Sequence, residues 1–83
     1  MKKVLNIKVL EHTLECELSD GKIYQYDMSD LLFSEAEMEQ ELKNPVFFKK
    51  AFIELGAVAW PNGYEIHAET IARDGKVISE KAS

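Results

Sequence analysis

The stretch TLECELSDGKIYQYD, residues 13–27, decides the fold class because it contains two strand patterns separated by a turn signal. Leu14, Cys16 and Leu18 alternate with two glutamates, and this alternation is typical of an antiparallel strand with one buried face and one solvated face. In the second half, two tyrosines share one face of a further strand, which is either solvated or covered by later helices. The stretch therefore predicts a pair of antiparallel strands.

Asp20-Gly21 joins the two strand patterns and is a strong hairpin signal, because both positions of such a turn need a positive φ. A two-residue loop predicts that Leu18 lies opposite Ile23. The alternating run before the stretch adds a third strand and predicts a β-meander over residues 3–28. The apolar residues expected on one face of that first strand are Leu5, Ile7 and Val9.

The middle of the chain, residues 34–52, changes to a helical pattern. Ser34 and Glu37 have capping-box spacing and are followed by good helix formers. Met38 and Leu42 lie four residues apart, which gives a narrow apolar stripe. This segment predicts a mostly solvated helix.

Asn44 and Pro45 break that helix and begin another, with Asn44 as N-cap and Pro45 at the first helical position. The second helix presents a wide apolar face, which we interpret as core rather than as an aromatic binding platform. Its members are Phe47, Phe48, Ala51 and Phe52. Residues 52–55 fit either the end of this helix or a strand.

The last part of the chain predicts a strand, a turn and a helical turn over residues 57–73. Pro61-Asn62-Gly63 forms the turn, and Ile71 points inward. Residues 79–83 predict a mobile tail. Residues 1–83 therefore form one α+β domain, in which short helices pack on one face of an antiparallel meander sheet.

The net charge of −5 argues against nucleic acid as a direct partner. Phosphate binding needs clustered Lys and Arg, and the only basic doublets are Lys2-Lys3 and Lys49-Lys50. No apolar run approaches the roughly 20 residues that a membrane-spanning helix needs, and the N-terminus has no signal-peptide pattern. With a single cysteine, no intrachain disulfide is possible. We expect a cytoplasmic protein that binds neither nucleic acid nor membrane.

Catalytic and metal motifs are weak. Glu65, His67 and Glu69 alternate as strand residues on one face would, but a helix beginning at Ala68 would separate them, so we predict no metal site. Cys16 lies between two glutamates, which disfavour the reactive thiolate. The chain has no nucleophile elbow and no glycine-rich phosphate loop. These absences predict a non-enzymatic protein without a cofactor.

Three segments occur in an order that resembles a family of small bacterial proteins, the domain-of-unknown-function family 2442. They are DGKIYQYDMSDLL at residues 20–32, LKNPVFF at residues 42–48 and GAVAWPNGYEI at residues 56–66. The most specific part is Trp60-Pro61-Asn62-Gly63. The resemblance implies a compact fold of a meandering sheet and short helices. It also suggests partner binding, since some members look like halves of two-gene modules that resemble toxin–antitoxin pairs.

Two functional hypotheses remain. The first is a protein-interaction module, antitoxin-like, that binds a small protein partner and can also form a homodimer. Its candidate contact residues are Trp60, Asn62, Tyr64 and Glu65, with the acidic segment around Glu37; for Trp60 a packing role is favoured over contact. The alternative is a small-molecule-binding or sensing domain, with its site between the Phe-rich helix and the sheet.

Overall fold

The structure, a computed structural model, describes residues 1–80. The strands within this range are β1 (Val4–Leu10), β2 (Thr13–Leu18), β3 (Lys22–Asp27), β4 (Phe52–Glu54), β5 (Ala57–Ala59), β6 (Glu65–Ile66) and β7 (Lys76–Glu80). The α-helices are α1 (Pro45–Phe48) and α2 (Ala68–Asp74), and short 3₁₀ turns lie at Ser29–Phe33, Glu37–Glu39 and Glu41–Lys43. This arrangement confirms the predicted α+β class.

The first three strands form the predicted antiparallel meander, and β7 extends it to a four-stranded sheet of order β1-β2-β3-β7. Leu14, Cys16 and Leu18 are fully buried on one face of this sheet. α2 packs against β3, and Ile71 of this helix is fully buried, as the sequence predicted. The helix therefore covers part of the apolar face of the meander.

The predicted two-residue loop at Asp20-Gly21 is wrong by one residue. Glu17, rather than Leu18, lies opposite Ile23, so the loop comprises residues 19–21. The Gly21 N–H donates to the Leu18 carbonyl (3.1 Å), and Gly21 has a φ of 84°. A type I turn followed by a left-handed glycine produces this longer loop.

The shifted register determines which face of β3 is buried. Tyr24 lies opposite Cys16, and only 5% of Tyr24 is exposed. A two-residue loop would have placed this tyrosine opposite Glu17 on the solvated face, because a one-residue slip reverses every side chain. Its hydroxyl reaches the edge of the core and donates to Asp20 Oδ2 (2.6 Å).

The predicted apolar face of β1 holds for Ile7 and Val9, which pack partly buried against the core. It is wrong for Leu5, which is 50% exposed. Val4 pairs with Leu18 while the next paired residue, Asn6, lies opposite Glu17. Leu5 is therefore the extra residue of a β-bulge, which turns its side chain away from the core.

A second, three-stranded sheet of order β4-β5-β6 was not predicted. It settles the ambiguity over residues 52–55, because Phe52–Glu54 is a strand. Leu55 and Gly56 have φ values of 50° and 79°, which is the pattern of a two-residue type I′ turn. The Val4 N–H donates to the Gly56 carbonyl (2.8 Å) and links this sheet to the meander.

The continuous helix predicted from Ser34 is wrong, since the segment forms only 3₁₀ turns. Ser34 Oγ accepts from the Ala36 N–H (3.0 Å) in a local turn instead of capping a helix. Of the predicted apolar stripe, Leu42 is fully buried but Met38 is 46% exposed. One buried residue stabilises a helix too little, and glutamates four residues apart repel each other.

Asn44 and Pro45 begin α1 as predicted, and Asn44 Oδ1 accepts from the Val46 N–H (2.9 Å). The wide apolar face is only partly correct. Phe48 is buried, whereas Phe52 is 40% exposed because it begins β4 instead of continuing the helix. The fully buried large side chains that join both sheets into one core are Trp60, Phe48, Leu14, Leu18, Leu42, Ile71 and Val58.

The predicted tail begins within β7. Ser79 pairs with Ile23 and Glu80 with Lys22, and residues 81–83 lie outside the described residues.

The longer of the two described α-helices has seven residues, and no helix within residues 1–80 is long and apolar enough to cross a membrane.

Candidate functional site

The turn between β5 and β6, residues 60–64, is closed by its own hydrogen bonds, and we call it the corner. The Gly63 N–H donates to the Trp60 carbonyl (3.0 Å), and the Trp60 N–H donates to the Tyr64 carbonyl (2.9 Å). Asn62 Oδ1 accepts from the Tyr64 N–H (3.0 Å). Gly63 has a φ of 91°. The ring of Pro61 fixes φ at the position directly after Trp60. The predicted turn is confirmed.

Trp60 anchors the corner to the core. Only 1% of the residue is exposed, and its indole Nε1–H donates to the Phe48 carbonyl (2.9 Å). Its ring centroid lies 5.5 Å from that of Phe48 and 5.8 Å from that of Tyr64. Trp60 therefore has the packing role that the sequence favoured, and its side chain offers no surface to a partner.

The corner holds the acidic segment, residues 35–41, in place. Asn62 Nδ2 donates to the Met38 carbonyl (3.1 Å) and to Glu41 Oε1 (3.2 Å). The Tyr64 hydroxyl donates to Glu39 Oε2 (2.6 Å). Two of the predicted contact residues are thus brought next to the acidic segment, and both make hydrogen bonds that fix its backbone or its carboxylates.

Beside this contact lies an open cleft of about 210 Å³, which we call the acidic cleft. Its lining residues are Tyr26, Asp27, Met28, Asp30, Leu31, Glu39 and Tyr64. β3 supplies the first part of this lining, and the 3₁₀ turn after it continues around the rim. The same turn ends at Phe33, which is 87% exposed. The cleft combines three carboxylates and two phenol rings, and the turn that lines it carries an exposed aromatic side chain at its end.

Hydrogen bonds lower the pKa of two of the three carboxylates in this cleft, Asp27 and Glu39. The hydroxyls of Ser34 and Tyr64 lower the pKa of Glu39. The backbone N–H and the hydroxyl of Ser29 lower the pKa of Asp27. Burial, followed by the hydrogen bond to Glu39, raises the pKa of Tyr64, so its phenol stays a donor. The cleft is therefore negative at neutral pH.

Glu65 and the other members of the Glu-His-Glu pattern lie apart from the acidic cleft lining. Glu65 is exposed, and its Oε1 lies 3.4 Å from His67 Nε2. Glu69 is in the first turn of α2 and accepts from the Lys2 N–H (3.0 Å). Among residues 1–80 no three His, Cys, Asp or Glu side chains are grouped so that they could hold a metal ion.

Cys16 has no exposed surface, and burial raises the pKa of its thiol to about 12. A thiol in this state is a poor nucleophile, because the thiolate is the reactive form. The side chain therefore serves as part of the core of the meander.

A second cleft, of about 330 Å³, lies between the β1–β2 turn and α1, and we call it the hairpin cleft. Its lining residues are Val9, Leu10, Glu11, His12, Pro45, Phe48 and Lys49. The sequence predicted an alternative ligand site between the Phe-rich helix and the sheet, and that site stays a prediction. Tyr64 was a predicted contact residue, but most residues of both clefts, including His12, were not predicted, and neither was Phe33, because no motif indicates which exposed loop residues become neighbours.

Comparison with known proteins gives one match. A protein family described as a protein of unknown function, DUF2442, matches residues 4–76. No curated protein matches the chain, and no solved structure does. The match covers β1 to β6, α1, α2 and the corner, which includes the region that carried the resemblance in the sequence. The chain therefore belongs to the DUF2442 family of proteins of unknown function.

Proposed function

We propose that this protein is a non-enzymatic protein-interaction module that binds a small, basic protein partner through the acidic cleft. The observation that carries the proposal is that Phe33, 87% exposed, belongs to the same short 3₁₀ turn as Asp30 and Leu31, which line a cleft with three carboxylates. Aromatic residues are enriched at protein interfaces, and charges that complement those of a partner steer its association.

Charge favours a basic partner. The whole chain carries a net charge of −5, and the carboxylates of Asp27 and Glu39 have lowered pKa values, so the cleft attracts Lys and Arg side chains. Such complementarity increases the association rate and rejects acidic competitors. An antitoxin-like role in the bacterial cytoplasm, opposite a basic toxin, is the form of this function that we favour.

Residues of the corner help to form and to fix the proposed surface. Tyr64 lines the acidic cleft, and Asn62 fixes the acidic segment, so both act on the same surface. Glu65 is exposed on the following strand but is not part of the cleft lining, so we do not include it in the proposed surface. Trp60 contributes only by holding the corner rigid, since rigid elements lose less conformational entropy when a partner binds.

Photo-cross-linking tests the proposal. A photoreactive phenylalanine replaces Phe33 in one variant and Leu55 in a matched control, because Leu55 is also an exposed apolar residue (99%) but lies in the β4–β5 turn. After irradiation in the native host, position 33 should give one discrete cross-linked protein of basic composition, and position 55 should give none. Equal cross-linking at both positions, or none at position 33, would refute the assignment.

A second candidate function is the binding of a small molecule. The observation in its favour is the hairpin cleft, which has the volume of a small ligand site, with apolar and polar lining. Thermal denaturation against a metabolite panel tests it, because a ligand that binds the folded state raises the melting temperature.

A further inference from the structure

The hairpin cleft has an unusual combination of side chains in its lining. The apolar members come from two elements, Val9 and Leu10 from β1 and Phe48 from α1. The charged members are one carboxylate, Glu11, and one ammonium group, Lys49. The cleft therefore presents an apolar body with one charge of each sign.

His12 adds a polar side chain to this lining. Its Nε2 is 3.0 Å from the Lys43 carbonyl, and because a carbonyl only accepts, Nε2 carries the proton and Nδ1 of the neutral ring is an acceptor. The residue is 6% exposed. Every buried side-chain nitrogen or oxygen among the described residues has a hydrogen-bond partner. His12 Nδ1 makes no hydrogen bond, so it is not completely buried and keeps contact with solvent.

The backbone of His12 is held in an uncommon conformation. Its φ is 53°, in the left-handed region that residues other than glycine enter rarely. The ring packs against Phe48, with centroids 5.1 Å apart. The hydrogen bond and the ring contact hold the imidazole at the cleft, and strain of this kind is often found at binding sites.

We propose that the hairpin cleft binds a small zwitterion with an apolar body, namely an apolar α-amino acid. A purely anionic ligand would be repelled by Glu11, and a purely cationic ligand would be repelled by Lys49. A zwitterion matches both charges, its ammonium group also donates to His12 Nδ1, and its side chain covers the apolar lining. This inference rests on the second candidate function and names its ligand class.

Titration of the ¹⁵N-labelled protein with L-leucine, followed by NMR, tests the inference. Leucine should shift the backbone amide signals of the cleft residues in a saturable manner. Three analogues each lack one feature: isoamylamine has no carboxylate, 4-methylpentanoate has no ammonium group, and glycine has no apolar side chain. Each should bind about tenfold more weakly or worse, which corresponds to about 1.4 kcal/mol per lost interaction.

Two matched variants locate the site. Lys49→Ala should weaken leucine binding about tenfold, whereas Lys50→Ala should leave it unchanged, because Lys50 extends over the Phe47 ring (5.9 Å) outside the cleft lining. The inference is overturned if leucine shifts no cleft signals, if one singly charged analogue binds as tightly, or if both variants behave alike. Cross-linking at position 33 is independent of all three outcomes, so it tests the proposed partner binding separately.

Discussion

Replacing Trp60 with phenylalanine is the sharpest test of how the corner is built. The substitution keeps an aromatic ring at a position that is 1% exposed, but it removes the indole N–H that donates to the Phe48 carbonyl (2.9 Å). It also leaves unfilled the space of the second indole ring. The corner should remain closed, because its backbone hydrogen bonds do not depend on the side chain.

The expected loss in the free energy of unfolding is about 2–3 kcal/mol. The lost hydrogen bond contributes about 1 kcal/mol, and the smaller ring in a packed core contributes about 1–2 kcal/mol. The Phe48 carbonyl still accepts from the Ala51 N–H at 3.3 Å, which keeps the first contribution modest. A domain of 83 residues has a total stability of about 4–12 kcal/mol, so the loss is large but not complete.

Urea denaturation followed by circular dichroism measures this loss, since the variant has no tryptophan fluorescence. Phe33→Ala is the control for an exposed aromatic residue and should change stability by less than about 0.5 kcal/mol. The two variants should have unfolding slopes equal to that of the wild type. A loss below about 1 kcal/mol for Trp60→Phe would show that the indole does not anchor the corner.

Further predictions concern three positions: Tyr64, Leu55 and Cys16. Tyr64→Phe should cost about 1 kcal/mol at neutral pH, because it removes the hydrogen bond to the partly exposed Glu39. The pKa of Glu39 is lowered in the folded state. The stability contributed by its hydrogen bond is therefore present above the ordinary pKa of glutamate and is lost as the pH falls through the lowered value. Urea titrations should show a difference between wild type and Tyr64→Phe at neutral pH that disappears at acid pH. Leu55→Asn should increase the free energy of unfolding by about 0.5–1 kcal/mol and so raise the melting temperature, because asparagine tolerates the φ of 50° better than leucine does. Leu55→Val should lower the melting temperature. Cys16, with a thiol pKa of about 12, should react with a disulfide reagent only at the rate of unfolding, and rapid labelling of the native protein would contradict its burial.

The meander could be predicted because its information is local. The alternation of Leu14, Cys16 and Leu18 specifies a buried face without reference to the rest of the chain. The register could not be predicted as well, because Asp20-Gly21 is compatible with loops of two or three residues. A one-residue difference then decides whether Tyr24 is solvated or buried.

The acidic segment shows the opposite case, in which local signals mislead. The capping-box spacing from Ser34 predicts a helix, but residues 34–43 bury only Leu42. The acidic segment is held by contacts from residues more than twenty positions away. Asn62 and Tyr64 supply those contacts, and no periodicity reports them. The second sheet was missed for a related reason, since strands of two or three residues are too short to show a period.

The candidate site was predicted in part. The turn at Pro61-Asn62-Gly63 follows from turn chemistry, whereas the contact of Tyr64 with Glu39 joins residues distant in the sequence and was not predicted. Phe33 could not be identified, because the sequence pattern does not show whether an apolar residue in a short loop is buried, and only the folded chain shows that it is exposed at the end of the turn that contains Asp30.

Native mass spectrometry of the protein purified gently from its own host tests the central claim most directly. We expect a stoichiometric complex with one small basic protein, which dissociates as salt is raised and is lost in Phe33→Ala but kept in Leu55→Ala. A bare monomer or homodimer under these conditions, or a complex that both variants retain, would contradict partner binding through the acidic cleft.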